Sequence, residues 1–241
     1  MDYNEQMYPW FSPIEIINRF EHLRAFFGSE AIYQDSLFKR AKEMFGSAVA
    51  LLGAYEMSSE NKYFLQSNQQ SASPDVMAAK QIERERPGLL LEMVQMEITE
   101  FEDHFENDDI VEFLQKVKLR KINNPRMMIV CFVNRVVPLD HRVIHIRLKK
   151  LTPKSTIYVV GRPVGARPGT FTIFTPYPKL TKPLEYNVDT TAGKYSIPPR
   201  IRLHLGIENK ITYTKAKMES INTYNILGID QIKIKKKYNK I

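Results

Sequence analysis

The sequence predicts an α/β fold: a mixed β-sheet flanked by helices, with an N-terminal helix before it and an irregular C-terminal extension after it. Three observations lead there. Apolar residues recur at helical spacing in two stretches up to Tyr55. Short aromatic and aliphatic runs separated by polar turns then fill Lys62 to Phe101. Beyond Asn107, helical and strand patterns alternate as far as Thr175.

Taken in order, Ser12-Pro13 starts a helix with proline at the first helical position. Ile14, Ile17, Phe20, Leu23 and Phe27 follow at helical spacing, and Gly28 ends the run. Trp10, beside Pro9 and Phe11, reads as a side chain packing on that helix. A second helix is expected from about Tyr33 to Tyr55, with the stripe Leu37, Ala41, Met44, Ala48, Leu51 and Tyr55. Lys62–Gln66, Pro74–Lys80 and Leu89–Phe101 read as three strands of an antiparallel meander, with Gln81–Gly88 as a charged turn. Asn107-Asp108-Asp109 caps a helix whose stripe is Ile110, Phe113, Leu114 and Val117. Met127–Val133 is apolar throughout, the mark of a strand covered on both faces. Asp140 caps a helix running to Leu151, and Ser155–Val160 and Thr170–Thr175 are further strands. After Pro176 prolines interrupt the pattern, and only Arg200–Leu205 reads as a strand before the lysine-rich tail. The expected organisation is a helical segment over 1–30, an α/β core over 31–175 and a proline-rich, basic extension over 176–241.

Composition bounds the partners. The 241 residues carry a net charge of +8, which favours a polyanionic partner. A lone cysteine, Cys131, rules out an internal disulfide framework and sits in an apolar run as a core thiol. The start lacks the basic and apolar segments of a signal peptide, and no window approaches a membrane span. A cytoplasmic protein without a membrane partner is expected; homo-oligomer formation is left open.

The chemistry centres on Asp75, at the head of one strand, and Glu97, within another. A hairpin of those strands can point both carboxylates at one spot, suited to a hard divalent cation. Along the second strand Gln95, Glu97 and Thr99 share a face. A buried carboxylate is costly unless it is paired, hydrogen-bonded or metal-bound.

With these residues the segment from about Tyr33 to Thr175 resembles the PD-(D/E)xK, restriction-endonuclease-like nuclease superfamily. The resemblance rests on Pro74-Asp75, on Glu97-x-Thr99 and on the order helix, hairpin, helix, apolar strand. It implies a metal-dependent endonuclease that hydrolyses DNA phosphodiester bonds, with Asp75 and Glu97 binding Mg²⁺ or Mn²⁺. It also implies an acid on the preceding helix, Glu43 in preference to Glu56, as a further metal ligand. The family's lysine, two residues after the second acid, is replaced by Thr99, which would line the site. Some members supply a lysine or glutamine from the next helix, where Gln115, Lys116 and Lys118 stand, and Lys80 is a weaker substitute. The alternative on the same fold is a non-catalytic nucleic-acid-binding or assembly protein with a degenerate metal site.

Basic residues that would hold the DNA backbone are Lys118, Arg120 and Lys121, then Lys149 and Lys150, and Arg162 and Arg167 on a proline-stiffened loop. His141 and His145 share a helix side without a third ligand nearby, so they read as surface residues rather than a zinc site.

Overall fold

In the computed structural model the described residues are 10–68, 74–82, 90–122, 124–195, 200–205, 211–215 and 223–238. In chain order they form β1 (Trp10–Phe11), α1 (Pro13–Phe27), α2 (Ser29–Gln34), a 3₁₀ turn (Ser36–Phe38), α3 (Lys39–Met57), β2 (Tyr63–Ser67), β3 (Val76–Ile82) and β4 (Leu90–Phe101). Then follow α4 (Ile110–Leu114), a π-helical turn (Gln115–Leu119), β5 (Met127–Val133), α5 (His141–Leu151), β6 (Thr156–Gly161), β7 (Thr170–Tyr177), β8 (Leu184–Asn187) and α6 (Val188–Lys194). The last elements are β9 (Arg200–Leu205), β10 (Ile211–Lys215), α7 (Thr223–Ile226) and α8 (Gln231–Tyr238). The charged turn expected over 81–88 lies mostly outside the described residues.

Local chemistry sets the helix ends. The Ser12 hydroxyl accepts from the Glu15 amide, and Gly28 closes α1 at φ +88°, a backbone that L side chains rarely adopt. The predicted helix 33–55 is interrupted at Asp35, whose side chain accepts from Leu37 N–H and starts the 3₁₀ turn. Asp109 and Asp140 cap α4 and α5 in the same way.

The chain divides into two compact units. The first comprises 1–48, 62–93 and 196–241. Its strands run in the order β10-β9-β1-β2-β3, each antiparallel to the next. Trp10 lies in the short strand β1 and is buried with Met77 and Ala79, beside Phe64 and Met93. Phe20 stacks on Phe45 at 4.3 Å, joining α1 to α3. The lysine-rich tail is the helix α8, not an extended charge run. Its end is tied back to Asp35, which accepts from Tyr238 Oη and from Lys237 Nζ, each at 2.7 Å.

The second unit comprises 49–61 and 94–195. Here β4, β5 and β6 are parallel, and β7 and β8 continue antiparallel, so the sheet is mixed. The two crossovers carry α4 and α5, whose apolar residues Ile110, Phe113, Leu114, Ile144 and Leu148 pack on Phe101, Ile129, Cys131 and Val159. β5, flanked by parallel neighbours, is buried at every position. Cys131 is a core side chain whose thiol is pushed up by burial. Chain beyond Pro176 adds β8 and α6 to this unit, elements the proline spacing concealed. Tyr186 of β8 donates its hydroxyl to the Val49 carbonyl at 2.6 Å. A Cβ on Gly53 would lie 2.8 Å from the Tyr186 ring and 2.9 Å from Ile173.

That contact predicts the effect of Gly53→Ala. Helix propensity favours alanine by ~1 kcal/mol, but forcing a methyl against an aromatic ring costs ~1–3 kcal/mol. A net loss of up to about 2 kcal/mol is expected in urea denaturation. Asp35 gives a pH test. Burial raises its carboxyl, but the Leu37 amide, Lys237 and the Tyr238 hydroxyl outweigh burial and hold it at about 2, below the ordinary 3.8. A depressed folded-state value means stability present above pH 3.8 and lost as pH falls toward 2. Wild type should therefore melt higher than Asp35→Asn at neutral pH, with the difference vanishing between those two values.

Candidate functional site

In the first unit, two acids meet around one guanidinium. Arg40 lies in the first turn of α3 and Glu43 three residues on, so both project from one helix face. Asp75 immediately precedes β3, after Pro74. Arg40 Nη1 donates to Glu43 Oε2 at 3.0 Å, to the Asp75 carbonyl at 3.3 Å and to Asp75 Oδ1 at 3.5 Å. Lys39 Nζ lies 3.5 Å from the other Glu43 oxygen. The Glu43 and Asp75 side chains are 8% and 14% exposed. Burial, and after it the charge of Asp75, pushes the Glu43 carboxyl up against the opposing pull of Arg40 and Lys39. Two carboxylates and a main-chain carbonyl are oxygen donors of the kind Mg²⁺ takes. Glu56, the other acid considered on this helix, belongs to the second unit and is held by Lys194 at 2.6 Å.

The second unit holds Glu97 and Thr99. In the parallel register Glu97 is paired with Ile129, Thr99 with Cys131 and Phe101 with Val133. Ile129, Cys131, Val133 and Phe101 all pack in the cluster under α4 and α5. Strand alternation puts Glu97 and Thr99 on that helix-covered face, where they are 5% and 8% exposed. Glu97 is therefore not a solvent-facing strand residue. Its carboxylate accepts from Lys118 Nζ at 2.6 Å. Lys118 comes from the π-helical turn that continues α4; the wider i→i+5 winding alters which side chains of this segment face the sheet.

A loop clamp positions that helix. Arg135, just after β5, lies over the Phe101 ring at 4.9 Å. Its guanidinium donates to the carbonyls of Phe105 at 2.9 Å and Asn107 at 3.3 Å, and to the Asp108 carboxylate. The loop it gathers ends at Asp109, whose Oδ1 accepts from the Val111 and Glu112 amides while Oδ2 meets Arg147 at 2.6 Å. Burial raises the Asp109 carboxyl, but Arg147 and the two amides outweigh it and hold it low. Arg147 is thus a structural partner of α4.

The other residues singled out from sequence lie as follows. Gln115 is half-buried in the π turn. Lys116 is exposed, pairs with Glu112 at 3.0 Å and lies over the Phe105 ring. Lys80 pairs with Glu92 at 3.2 Å. Arg120, Lys121, Lys149, Lys150, Arg162 and Arg167 are exposed. His145 Nδ1 sits 2.7 Å from the Pro176 carbonyl, and His141 is edge-on to Phe174. Among the described residues no group of three or more His, Cys, Asp or Glu side chains gathers to hold a metal. Nor is any helix among them long and apolar enough to cross a membrane.

Sequence reasoning passed over Arg40 and Arg135. The i, i+3 spacing of Arg40 and Glu43 was a readable signal, whereas Arg135 acts on carbonyls some 30 residues earlier, beyond any local pattern. The chain matches no protein-family model, no curated protein and no solved structure.

The pairing of Glu97 with Lys118 makes a direct prediction. Lys118→Met leaves a buried carboxylate without this cation, which costs about 3 kcal/mol in urea denaturation. Lys116→Met, on an exposed pair, should cost under about 0.5 kcal/mol.

Proposed function

We propose that the protein is a metal-dependent nuclease acting on DNA phosphodiester bonds, in restriction, repair or defence against mobile DNA. The observation that carries this reading is the Lys118–Glu97 pair. The resemblance calls for a lysine beside the second acid, and the strand position where it is expected holds Thr99. Lys118, from the following helix, supplies an ammonium 2.6 Å from that acid within the same buried face.

Each residue then has a role. In the first unit Glu43 and Asp75 would offer carboxylate oxygens to Mg²⁺; the resemblance also casts Glu97, in the second unit, as a metal-binding acid. Mg²⁺ held there supplies positive charge that offsets the charge developing on the scissile phosphate. Lys118 orients the attacking water and stabilises its loss of a proton. Thr99, on the same strand face as Glu97, would line the site, and Gln115 is the other polar candidate from the following helix. The exposed Arg120, Lys121, Lys149, Lys150, Arg162 and Arg167 supply sequence-independent contacts to phosphates.

A second reading is favoured by a specific observation: Glu43, Asp75 and Glu97 all hold a cationic side chain of the chain itself. A site neutralised in this way would suit a nucleic-acid-binding or assembly protein that no longer cleaves.

Supercoiled plasmid separates the two. The nuclease reading expects open circles that appear only with Mg²⁺ or Mn²⁺, and rates at least about 100-fold lower in Asp75→Asn, Glu97→Gln and Lys118→Ala. Salt-sensitive DNA retention without nicking under any metal would establish the binding protein instead.

A further inference from the structure

Charge is distributed unevenly over the mixed sheet of the second unit. We infer that duplex DNA lies along the amino-terminal edge of its parallel strands, where Arg120, Lys121, Arg126, Lys149, Lys150 and Lys154 hold the phosphates. Arg162 and Arg167 stand at the opposite edge and contribute little. The inference rests on the proposed function only in taking DNA as the partner.

β4, β5 and β6 run in one direction, so each helical crossover returns the chain to the same edge. The π turn after α4 ends at Leu119, and Arg120, Lys121 and Arg126 follow before β5 begins at Met127. α5 carries Lys149 and Lys150 in its last turn, and Lys154 stands two residues before β6. β7 runs the other way, with Tyr177 facing Ile157, so Lys179 and Lys182 beyond it return to this edge as well. All these side chains are exposed. At a strand spacing of about 4.8 Å, the starts of β5 and β6 and the end of β7 lie within about 10 Å.

The acids lie elsewhere. Residues 113–139 and 141–184 contain no Asp or Glu. Glu102, Asp103, Asp108 and Asp109 follow the end of β4, and Asp140 caps the start of α5. Arg162 and Arg167 follow the end of β6 and so share that acidic edge, and Arg162 lies over the Phe171 ring at 5.1 Å. Open α/β sheets commonly take ligands beyond the carboxyl ends of their strands, but here the charge favours the other end for a polyanion.

The cationic edge is tied together. Asn124 Nδ2 donates to Gln95 Oε1 at 3.1 Å, and Ser155 Oγ donates to the Asn124 carbonyl at 2.9 Å. These bonds join β4 to the approaches of β5 and β6. Gln95 is paired with Met127, the first residue of β5, so Glu97 and its partner Lys118 lie about 7 Å in from this edge. An anionic bilayer would reward exposed apolar groups beside the cations. Val136 and Val164, 84% and 83% exposed, instead follow the carboxyl ends of β5 and β6.

The test is fluorescence anisotropy of a labelled 20-base-pair duplex with the full chain, in EDTA and across a salt series. Arg126→Gln/Lys154→Gln should weaken binding at least about tenfold and lower the salt slope by about 2. Arg162→Gln/Arg167→Gln removes the same charge and should cost under about threefold. Urea denaturation checks folding; should the first pair fail to fold, Lys149→Gln/Lys150→Gln takes its place with the same expected loss. Equal losses at the two edges, or a greater loss at Arg162 and Arg167, overturn the inference and leave DNA as the partner. No retention of the duplex by wild type at low salt, with or without binding to phosphatidylserine vesicles, overturns the inference and the proposed function together. Because metal is absent, binding with this pattern but no plasmid nicking would sink the nuclease reading and uphold the edge.

Discussion

Glu97 is a carboxylate on a strand that is buried where a helix layer covers it. Moving such a charge out of water costs several kcal/mol, and hydrophobic burial around it returns none of that. The compensation must come from a cation delivered to one oxygen, and Lys118 delivers it at 2.6 Å. The second unit around it is arranged to make that delivery repeatable. β4 is locked to β5 by a seven-residue parallel register, which fixes the carbonyl ladder and therefore the direction of Glu97. α4 is started by Asp109, steadied by Arg147 and aimed by the loop that Arg135 gathers. The π turn then carries Lys118 over the sheet. A stability-driven design would have placed two apolar residues here, since replacing a buried ion pair by well-packed hydrophobic groups is often neutral or stabilising.

The first unit solves a related problem differently. Its two acids come from a helix and from the start of a strand, and a single arginine nitrogen spans them. Lys118 Nζ meets Glu97 at 2.6 Å, while Arg40 Nη1 meets Glu43 at 3.0 Å and Asp75 Oδ1 at 3.5 Å. Under the nuclease proposal the exposed lysines and arginines would contribute at another scale, as a salt-sensitive attraction for a polyanion.

Much of this was legible in the chain because the signals were local. Ser12-Pro13, Asp109 and Asp140 announced their helices through side-chain capping, and the uninterrupted apolar run of β5 announced a strand flanked on both sides. Other features depended on partners far away in sequence. Pro176 reads as a strand breaker, yet it lies inside β7, where the register with β6 shifts between Ile157 and Val159 and the missing N–H is tolerated. The lysines of α8 read as a solvated run because Asp35, which receives Lys237 and Tyr238, lies some 200 residues away. Asp35 itself hid a helix break, since an acid within a periodic stripe looks like surface. At the candidate site the acids were readable as residues, but their cations were not. Lys118 lies 21 positions from Glu97, and three candidates within four positions of a helix cannot be ranked before its winding is known.

The charge pairing at Glu97 is tested most directly by a double-mutant cycle in urea, combining Glu97→Gln with Lys118→Met. A coupling energy of about 2 kcal/mol or more is expected for a desolvated pair in contact. A coupling within about 0.5 kcal/mol of zero, the value for independent sites, would contradict the account.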